Sequence, residues 1–140
     1  MAVRLMSSVA AGDTFGPVSV PVTRARLKAY ADASGDQNPI HQDEEFARSV
    51  GLPDLIAHGM WTMGATGTVV ADWAGDAGRV VSFGTRFSAM VPVPADGSTI
   101  VVSGEVKKVD QESGTVNVEL TTTHEGVRVL ARCVATVRLG

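Results

Sequence analysis

The amino-acid sequence predicts an α+β fold in which a curved antiparallel β-sheet surrounds one long central α-helix. Helical patterns and their capping residues occupy the first half of the chain, whereas the residues from Arg79 onward form four β-branched or alternating stretches. Helices and strands that segregate along a chain in this way are typical of α+β folds. The longest helical pattern is rich in glycine and alanine. Its glycines reduce helix propensity, and such small residues are best tolerated where a helix packs closely against a sheet.

The helical half opens with a predicted strand, Asp13–Val22. Thr23 can then supply an N-cap oxygen for a helix over residues 24–33. Gly35 is expected to end that helix, because glycine adopts the left-handed conformation of a C-terminal cap without steric cost.

Two further helices are predicted before the chain changes to strands. Asp43 is the expected N-cap of a short helix that runs through Val50. A longer helix is predicted from about Gly59 to Trp73, and this is the helix that the sheet should surround.

The second half contains four predicted strands, separated by turns rich in glycine, proline and aspartate. They are Val80–Met90, Thr99–Asp110, Gly114–His124 and Val127–Leu139. We expect consecutive strands to pair as antiparallel neighbours. His124 lies beside a predicted hairpin turn and is expected to be exposed.

Composition limits both the size and the partners of the protein. The 140 residues suit a single domain over 1–140, and a hydrophobic content of 44% suffices for a core. A net charge of -3 lacks the basic footprint of a nucleic-acid-binding protein. The weakly polar stretch 59–71 is too short to span a bilayer, and the N-terminus has no signal-peptide pattern. We therefore expect a cytoplasmic protein with neither nucleic acid nor membrane as a partner. Cys133 is predicted to be a buried hydrophobic residue.

Two proton-transfer groups, Asp36 and His41, flank a turn that Pro39 stiffens. Histidine titrates near neutrality, and a neighbouring carboxylate can complete a general acid–base pair with it. The alternative is a capped turn in which Asp36 and Asn38 only satisfy backbone N–H groups. Spacing alone leaves both interpretations open.

The segment His58-Gly59-Met60 offers a second candidate feature at the start of the long helix. The N–H groups of a first helical turn lack intrahelical acceptors, and they can stabilise a developing oxyanion. Gly59 would let a substrate approach the backbone, or would only allow close packing. A metal site formed by His41, Asp43 and His58 is a further alternative. It lacks a recognised ligand spacing and would take Asp43 from its cap, so no metal is predicted.

The stretch 30–47 resembles the (R)-specific enoyl hydratase signature of the MaoC-like family. The matching residues are Tyr30, Ser34, Gly35, Asp36, Asn38, Pro39, Ile40, His41, Asp43 and Ala47. Ala57-His58-Gly59-Met60 is similar to the helix-entry motif of that family, and Arg86-Phe87 with Met90-Val91-Pro92-Val93 is similar to a later signature. Within the family, the chain most resembles the catalytic small subunits of (3R)-hydroxyacyl-carrier-protein dehydratases.

This resemblance implies a hot-dog fold and a dimer, either a homodimer or a heterodimer with a paralogous subunit. It implies that Asp36 and His41 form the catalytic pair and that the Gly59 N–H holds the thioester carbonyl. Asn38 would brace the active-site loop. The implied substrates are acyl thioesters of coenzyme A or acyl carrier protein, with no cofactor.

The expected reaction is reversible hydration of a trans-2-enoyl thioester, which is equivalent to dehydration of a (3R)-hydroxyacyl thioester. One alternative is a hot-dog acyl-thioester hydrolase, in which activated water attacks the carbonyl carbon. Another is a non-catalytic acyl-binding partner subunit. The side chains of Met60, Trp61 and Met63 are predicted to line the acyl cavity.

Overall fold

A computed structural model describes residues 2–140 of the chain. Within these residues there are three α-helices and six β-strands. The helices are α1 (Arg24–Ser34), α2 (Glu44–Ser49) and α3 (Gly59–Ala74), and the strands are β1 (Thr14–Val22), β2 (Val80–Phe87), β3 (Ser98–Asp110), β4 (Thr115–His124), β5 (Val127–Arg128) and β6 (Leu130–Arg138).

The strands form one antiparallel sheet in the order β1-β3-β4-β6-β2, and the short strand β5 pairs with β4. The predicted antiparallel sheet is therefore confirmed. The predicted pairing of consecutive strands is wrong for β2, which pairs with β6 instead of β3. The reason lies in residues 88–97, which connect β2 to β3. The Val91 carbonyl accepts from the Ala57 N–H, and the Val93 N–H donates to the Leu55 carbonyl, so the connection is bonded to the segment before α3.

Helix α3 packs against the sheet and contacts β1, β2, β3 and β6. Its buried face carries Val69, Val70 and Ala74, together with two buried threonines. Close packing explains one of its glycines: a Cβ on Gly67 would come within 3.1 Å of the Phe83 ring. It does not explain Gly64, where a Cβ would meet no atom within 4 Å. Residues 2–140 contain no helix with both the length and the apolar character that crossing a membrane would require.

The predicted caps around α1 and α2 are confirmed. The Thr23 side chain accepts from the Arg26 N–H at 3.1 Å, and Gly35 ends α1 in the left-handed conformation with φ 84°. The Asp43 side chain accepts from the Phe46 N–H at 3.0 Å and so begins α2. These caps fix both ends of the intervening loop, residues 36–42.

The predicted last strand is divided into β5 and β6. The Val129 N–H still donates to the Thr122 carbonyl, but Cys133 pairs with Leu120, so the register with β4 shifts between these two points. Arg132 has φ 49° within the shifted segment, which identifies a bulge that the alternating sequence pattern does not reveal.

The prediction for His124 is wrong. Its side chain is buried, and its Nε2 lies 2.7 Å from the Ser98 hydroxyl at the start of β3. The alternation of β4 turns this ring inward, where Ser98 satisfies one of its nitrogens. Cys133 is buried as predicted, and burial raises the pKa of its thiol.

Candidate active site

The loop between α1 and α2 is held by hydrogen bonds of its own side chains. The Asp36 N–H donates to the Ser34 hydroxyl at 3.1 Å, and Asp36 Oδ1 accepts from the Asn38 N–H at 3.2 Å. Asn38 Oδ1 in turn accepts from the Ile40 N–H at 3.1 Å, which begins the 3-10 turn Pro39–His41. The Asp36 carboxylate has further lone pairs beyond this one bond. It therefore supports the turn and still has oxygen atoms that can bind another donor.

The hydrogen bond of His41 determines its tautomer. Its Nδ1 lies 2.6 Å from the Ile56 carbonyl oxygen. Because a carbonyl oxygen can only accept, Nδ1 carries the hydrogen and a neutral His41 has its lone pair on Nε2. The side chain is only 8% exposed. His41 is thus a fixed ring with one nitrogen available to accept a proton.

His58 packs directly on His41. The two ring centroids lie 3.8 Å apart with their planes inclined by 24°, and the Tyr30 ring packs edge-on against the His58 ring at 4.8 Å. His58 Nε2 lies 3.2 Å from the Asp36 carbonyl oxygen and must donate to it. Burial lowers the pKa of His58; the bond to the Asp36 carbonyl opposes this effect, and the charge of a protonated His41 adds to it.

Asp36, His41 and His58 therefore come together, with side-chain ligand atoms within 4.8 Å of one another. The alternative metal set is wrong in one member, because Asp43 caps α2 and is not part of this group. The two stacked rings also fit a metal poorly. An imidazole lone pair lies in the plane of its ring, so lone pairs of two nearly parallel rings point side by side and do not converge on one ion. This arrangement suits proton transfer better than metal binding.

A cavity of about 320 Å³ opens beside His41 and the start of α3. His41, Gly59 and Thr62 line it together with a larger apolar set: Ile56, Ala57, Phe87, Ala89, Met90, Val91, Val129 and Leu130. Asp36 is exposed and does not contribute to this wall.

Gly59 is the first residue of α3 and brings the N-terminus of that helix to the cavity. The N–H groups of a first turn and the helix dipole both favour negative charge at this position. A Cβ here would come within 3.0 Å of the Phe87 ring, so glycine lets that ring, which also lines the cavity, lie close to the backbone.

None of Met60, Trp61 and Met63 contributes to the cavity that His41 and Gly59 share, so the structure does not place the predicted wall there. Met60 is 57% exposed, and Trp61 lines a separate groove on the other side of α3. The helical period explains the difference: the residue of this turn that faces the cavity is Thr62. Of the lining residues, Phe87, Met90 and Val91 belong to the later motif, whereas Val129 and Leu130 had no signal in the sequence.

Comparison with known proteins identifies the family and the fold. The family model described as "MaoC like domain" matches residues 7–124. The 3-hydroxyacyl-thioester dehydratase X of Mycobacterium tuberculosis is 36% identical over 84 residues, which are 60% of this chain and 29% of that protein.

Two solved structures are also similar to the chain. A structure described as a MaoC-like dehydratase has a TM-score of 0.96 and 36% identity, and the match covers 99% of this chain and 43% of the other. The R-hydratase PhaJ1 of Pseudomonas aeruginosa has a TM-score of 0.86, and the match covers 98% of this chain and 86% of the other; at 21% identity it shows the fold alone.

The chain spans less than a third of the first curated relatives that it matches. The structural matches confirm the predicted hot-dog fold, in which the antiparallel sheet surrounds α3. The family match covers most of the sequence, including the loop of Asp36 and His41 and the start of α3. The chain therefore belongs to the MaoC-like domain family.

Proposed function

We propose that the protein is a hydro-lyase that reversibly hydrates trans-2-enoyl thioesters, or dehydrates (3R)-hydroxyacyl thioesters. The observation that carries this proposal is the tautomer of His41. Its bond to the Ile56 carbonyl leaves Nε2 free to accept a proton beside the cavity that Gly59 also lines. Proton transfer next to a thioester carbonyl requires an acid–base group and a donor that stabilises negative charge on the carbonyl oxygen. His41 and the N-terminus of α3 offer both at one apolar cavity.

Asp36 and His41 would together hold the water. In the hydration direction the water oxygen bonds to the β-carbon, one member of the pair takes the water proton, and a proton is delivered to the α-carbon. Negative charge moves onto the thioester oxygen as the new C–O bond forms. The Gly59 N–H and the dipole of α3 would stabilise that charge. Asn38 would keep the loop in place through its bond to Ile40.

The apolar lining supports an acyl thioester as the substrate, carried by coenzyme A or by acyl carrier protein. Apart from His41 and Thr62, the side chains of the cavity wall have no polar atoms capable of strong hydrogen bonds. Such a wall suits an acyl chain, since burying apolar surface contributes roughly 25 cal/mol per Å². The proposed chemistry uses no cofactor, because the thioester itself activates the α- and β-carbons.

The test is a spectroscopic assay with a short trans-2-enoyl-CoA, following loss of the conjugated thioester absorbance. Asp36→Asn and His41→Ala should each lose about 10²–10⁴-fold in kcat, the usual range for a general acid–base group. The asparagine side chain of the first variant would still offer an oxygen to the Asn38 N–H, so the fold should persist. Asp43→Asn is the matched control: it also removes one carboxylate, but asparagine is an equally good N-cap, so kcat should be unchanged.

Three results would contradict parts of the proposal. Normal turnover by Asp36→Asn would show that this carboxylate is not part of the catalytic pair. Loss of the absorbance together with an equal amount of free thiol would instead support thioester hydrolysis, because cleavage of the thioester also removes the conjugated chromophore. A chain that binds acyl thioester without turnover, even beside a paralogous subunit, would support the non-catalytic alternative.

We also propose that the protein is a homodimer. β2 lies at one edge of the sheet, so one row of its backbone groups has no neighbouring strand among the described residues. Met60, Phe87 and Met90 are at least half exposed around the same region. Light scattering after gel filtration should give twice the chain mass. A monomeric mass would contradict the homodimer, and recovery of a larger particle only with a paralogous chain would indicate a heterodimer.

A further inference from the structure

We propose that His58 is a positioning residue that holds the catalytic pair in place and acts only as a neutral imidazole. This inference rests on the proposed function and adds a second histidine to the site. His58 is 2% exposed, and it contacts each of the other parts of the site. Its Nε2 donates to the Asp36 carbonyl, its ring stacks on His41, and it directly precedes Gly59 in the chain.

The contacts of His58 connect two segments that are far apart in sequence. Asp36 follows α1, whereas His58 is the N-cap of α3, and its own carbonyl accepts from the Trp61 and Thr62 N–H groups. The bond from its ring to Asp36 therefore ties the catalytic loop to the start of the helix. Proton transfer depends steeply on such placement, since a displacement of roughly 1 Å can reduce a rate about 10²-fold.

A purely structural role would not require a histidine at this position. A buried aromatic hydrocarbon could fill the same space and stack on His41 without burying a nitrogen. His58 Nδ1 is buried and has no hydrogen-bond partner among residues 2–140. A buried polar atom without a partner is destabilising by about 1–3 kcal/mol and calls for an explanation. We infer that a histidine occupies this position because its other nitrogen, Nε2, donates a hydrogen bond to the Asp36 carbonyl.

The surroundings of His58 also determine its charge state. The groups that face it are His41 and Asp36 from the loop and Tyr30 from α1. Protonation would place an N–H on the unpartnered Nδ1 and a positive charge against the His41 ring. A neutral His58 instead places no charge against the His41 ring, so it does not oppose a positive charge there. His41 can therefore carry a proton during the reaction without repulsion from this ring.

Two substitutions separate the donor from the ring. His58→Gln retains an N–H that can reach the Asp36 carbonyl but loses the stacked ring. His58→Phe retains the ring but loses the donor. Tyr30→Phe is the control, because it keeps the aromatic edge beside His58 and removes only a hydroxyl.

We expect both His58 variants to lower kcat by at least about tenfold with little change in KM, since His58 does not line the cavity and its effect is on placement alone. His58→Gln should retain more of kcat than His58→Phe, and Tyr30→Phe should match the parent. If both variants keep the parent kcat, His58 is only a core residue and the proposal is wrong. A rise in KM with unchanged kcat would also overturn it, because it would indicate a role in binding alone.

A second measurement does not depend on enzymatic activity. ¹⁵N NMR of the imidazole rings distinguishes protonated from unprotonated nitrogens. Near neutral pH we expect a hydrogen on Nε2 of His58 and on Nδ1 of His41. A hydrogen on Nδ1 of His58 would overturn the proposal: if it is the only ring hydrogen, the bond to Asp36 is absent, and if Nε2 also carries one, the ring is charged. If the parent hydrates no enoyl thioester, the proposed function fails, while this NMR result still decides the placement of His58.

The stability of the fold at low pH gives a third test. The folded-state pKa of His58 lies below its unfolded value, so the unfolded chain binds more protons as the pH falls. Stability is therefore lost as the pH falls from about 6.5 toward the folded-state pKa. His58→Phe has no group at this position to take up a proton, so this part of the pH-dependent loss of stability should disappear. The difference in Tm between about pH 7.5 and about pH 5.5 should therefore be smaller in the variant than in the parent. An equal difference would contradict the neutral, buried His58.

Discussion

Replacing Gly59 with alanine should separate activity from stability. The residue begins α3, and its φ is not in the left-handed region, so alanine fits the backbone. The new Cβ would come within 3.0 Å of the Phe87 ring, which is closer than an ordinary contact. Phe87 is 55% exposed, so its ring can move aside. The main effect of the methyl group is then to occupy the space through which a carbonyl oxygen would reach the Gly59 N–H.

The two expected magnitudes differ enough to be distinguished. Alanine in place of glycine stabilises a helix interior by roughly 0.5–1 kcal/mol, and the first residue of a helix should gain less. The displaced Phe87 ring offsets part of that gain, so the free energy of unfolding should change by under about 1 kcal/mol. Loss of one oxyanion donor lowers kcat by about 10²–10³-fold, or about 2.7–4 kcal/mol in the transition state.

The assay combines enoyl-CoA hydration with urea unfolding of the same preparations. Gly64→Ala is the matched control on the same helix, because a Cβ there meets no atom within 4 Å. It should raise the free energy of unfolding by about 1 kcal/mol and leave kcat unchanged. If Gly59→Ala retains the parent kcat and KM, the Gly59 N–H does not hold the thioester oxygen and this reasoning is refuted. A large loss of stability would show instead that Gly59 is needed for packing.

Three further predictions concern the sheet and the core. Thr66→Val should lower the free energy of unfolding, measured by urea titration, by about 1–3 kcal/mol, because it leaves the buried Thr122 hydroxyl without its 2.7 Å partner. Adding Thr122→Val should recover part of this loss, and fully additive losses would argue against the hydrogen bond. Gly104→Ala should destabilise the fold by about 1–3 kcal/mol, since its Cβ would overlap the Phe15 ring; a thermal melt with an unchanged Tm would contradict that overlap. Cys133 should react with iodoacetamide near neutral pH only after unfolding, because burial raises the pKa of its thiol; fast alkylation of the native protein, followed by mass spectrometry, would exclude the buried position.

The features that the sequence predicted well are local ones. Thr23, Gly35 and Asp43 act within four residues of their own positions, through a side-chain oxygen or a permitted backbone conformation. The same is true of the turn around Asp36, where its N–H and its carboxylate bond to residues two positions away. Short-range chemistry of this kind is determined by adjacent residues, and it can be inferred without knowing the tertiary structure.

The features that escaped prediction depend on distant contacts. β2 pairs with β6 because the connection after β2 is hydrogen-bonded to the segment before α3. No local sequence pattern predicts these long-range hydrogen bonds. Val129 and Leu130 line the cavity beside the bulge that divides the last strand, and alternation alone predicts an uninterrupted strand there. The sequence indicates His58 as a candidate, but its stacking on His41 could be found only from the structure.

The division of the cavity between two parts of the chain has a consequence for how selectivity could change. The proposed reacting groups lie within residues 36–59, on the loop between α1 and α2 and at the start of α3, whereas much of the apolar wall comes from residues 87–91 and 129–130. Substitutions in the second group can alter the shape offered to an acyl chain without moving an acid, a base or an N–H donor. If the proposed site is correct, the substrate that this protein accepts could therefore change while its proposed chemical step stays the same.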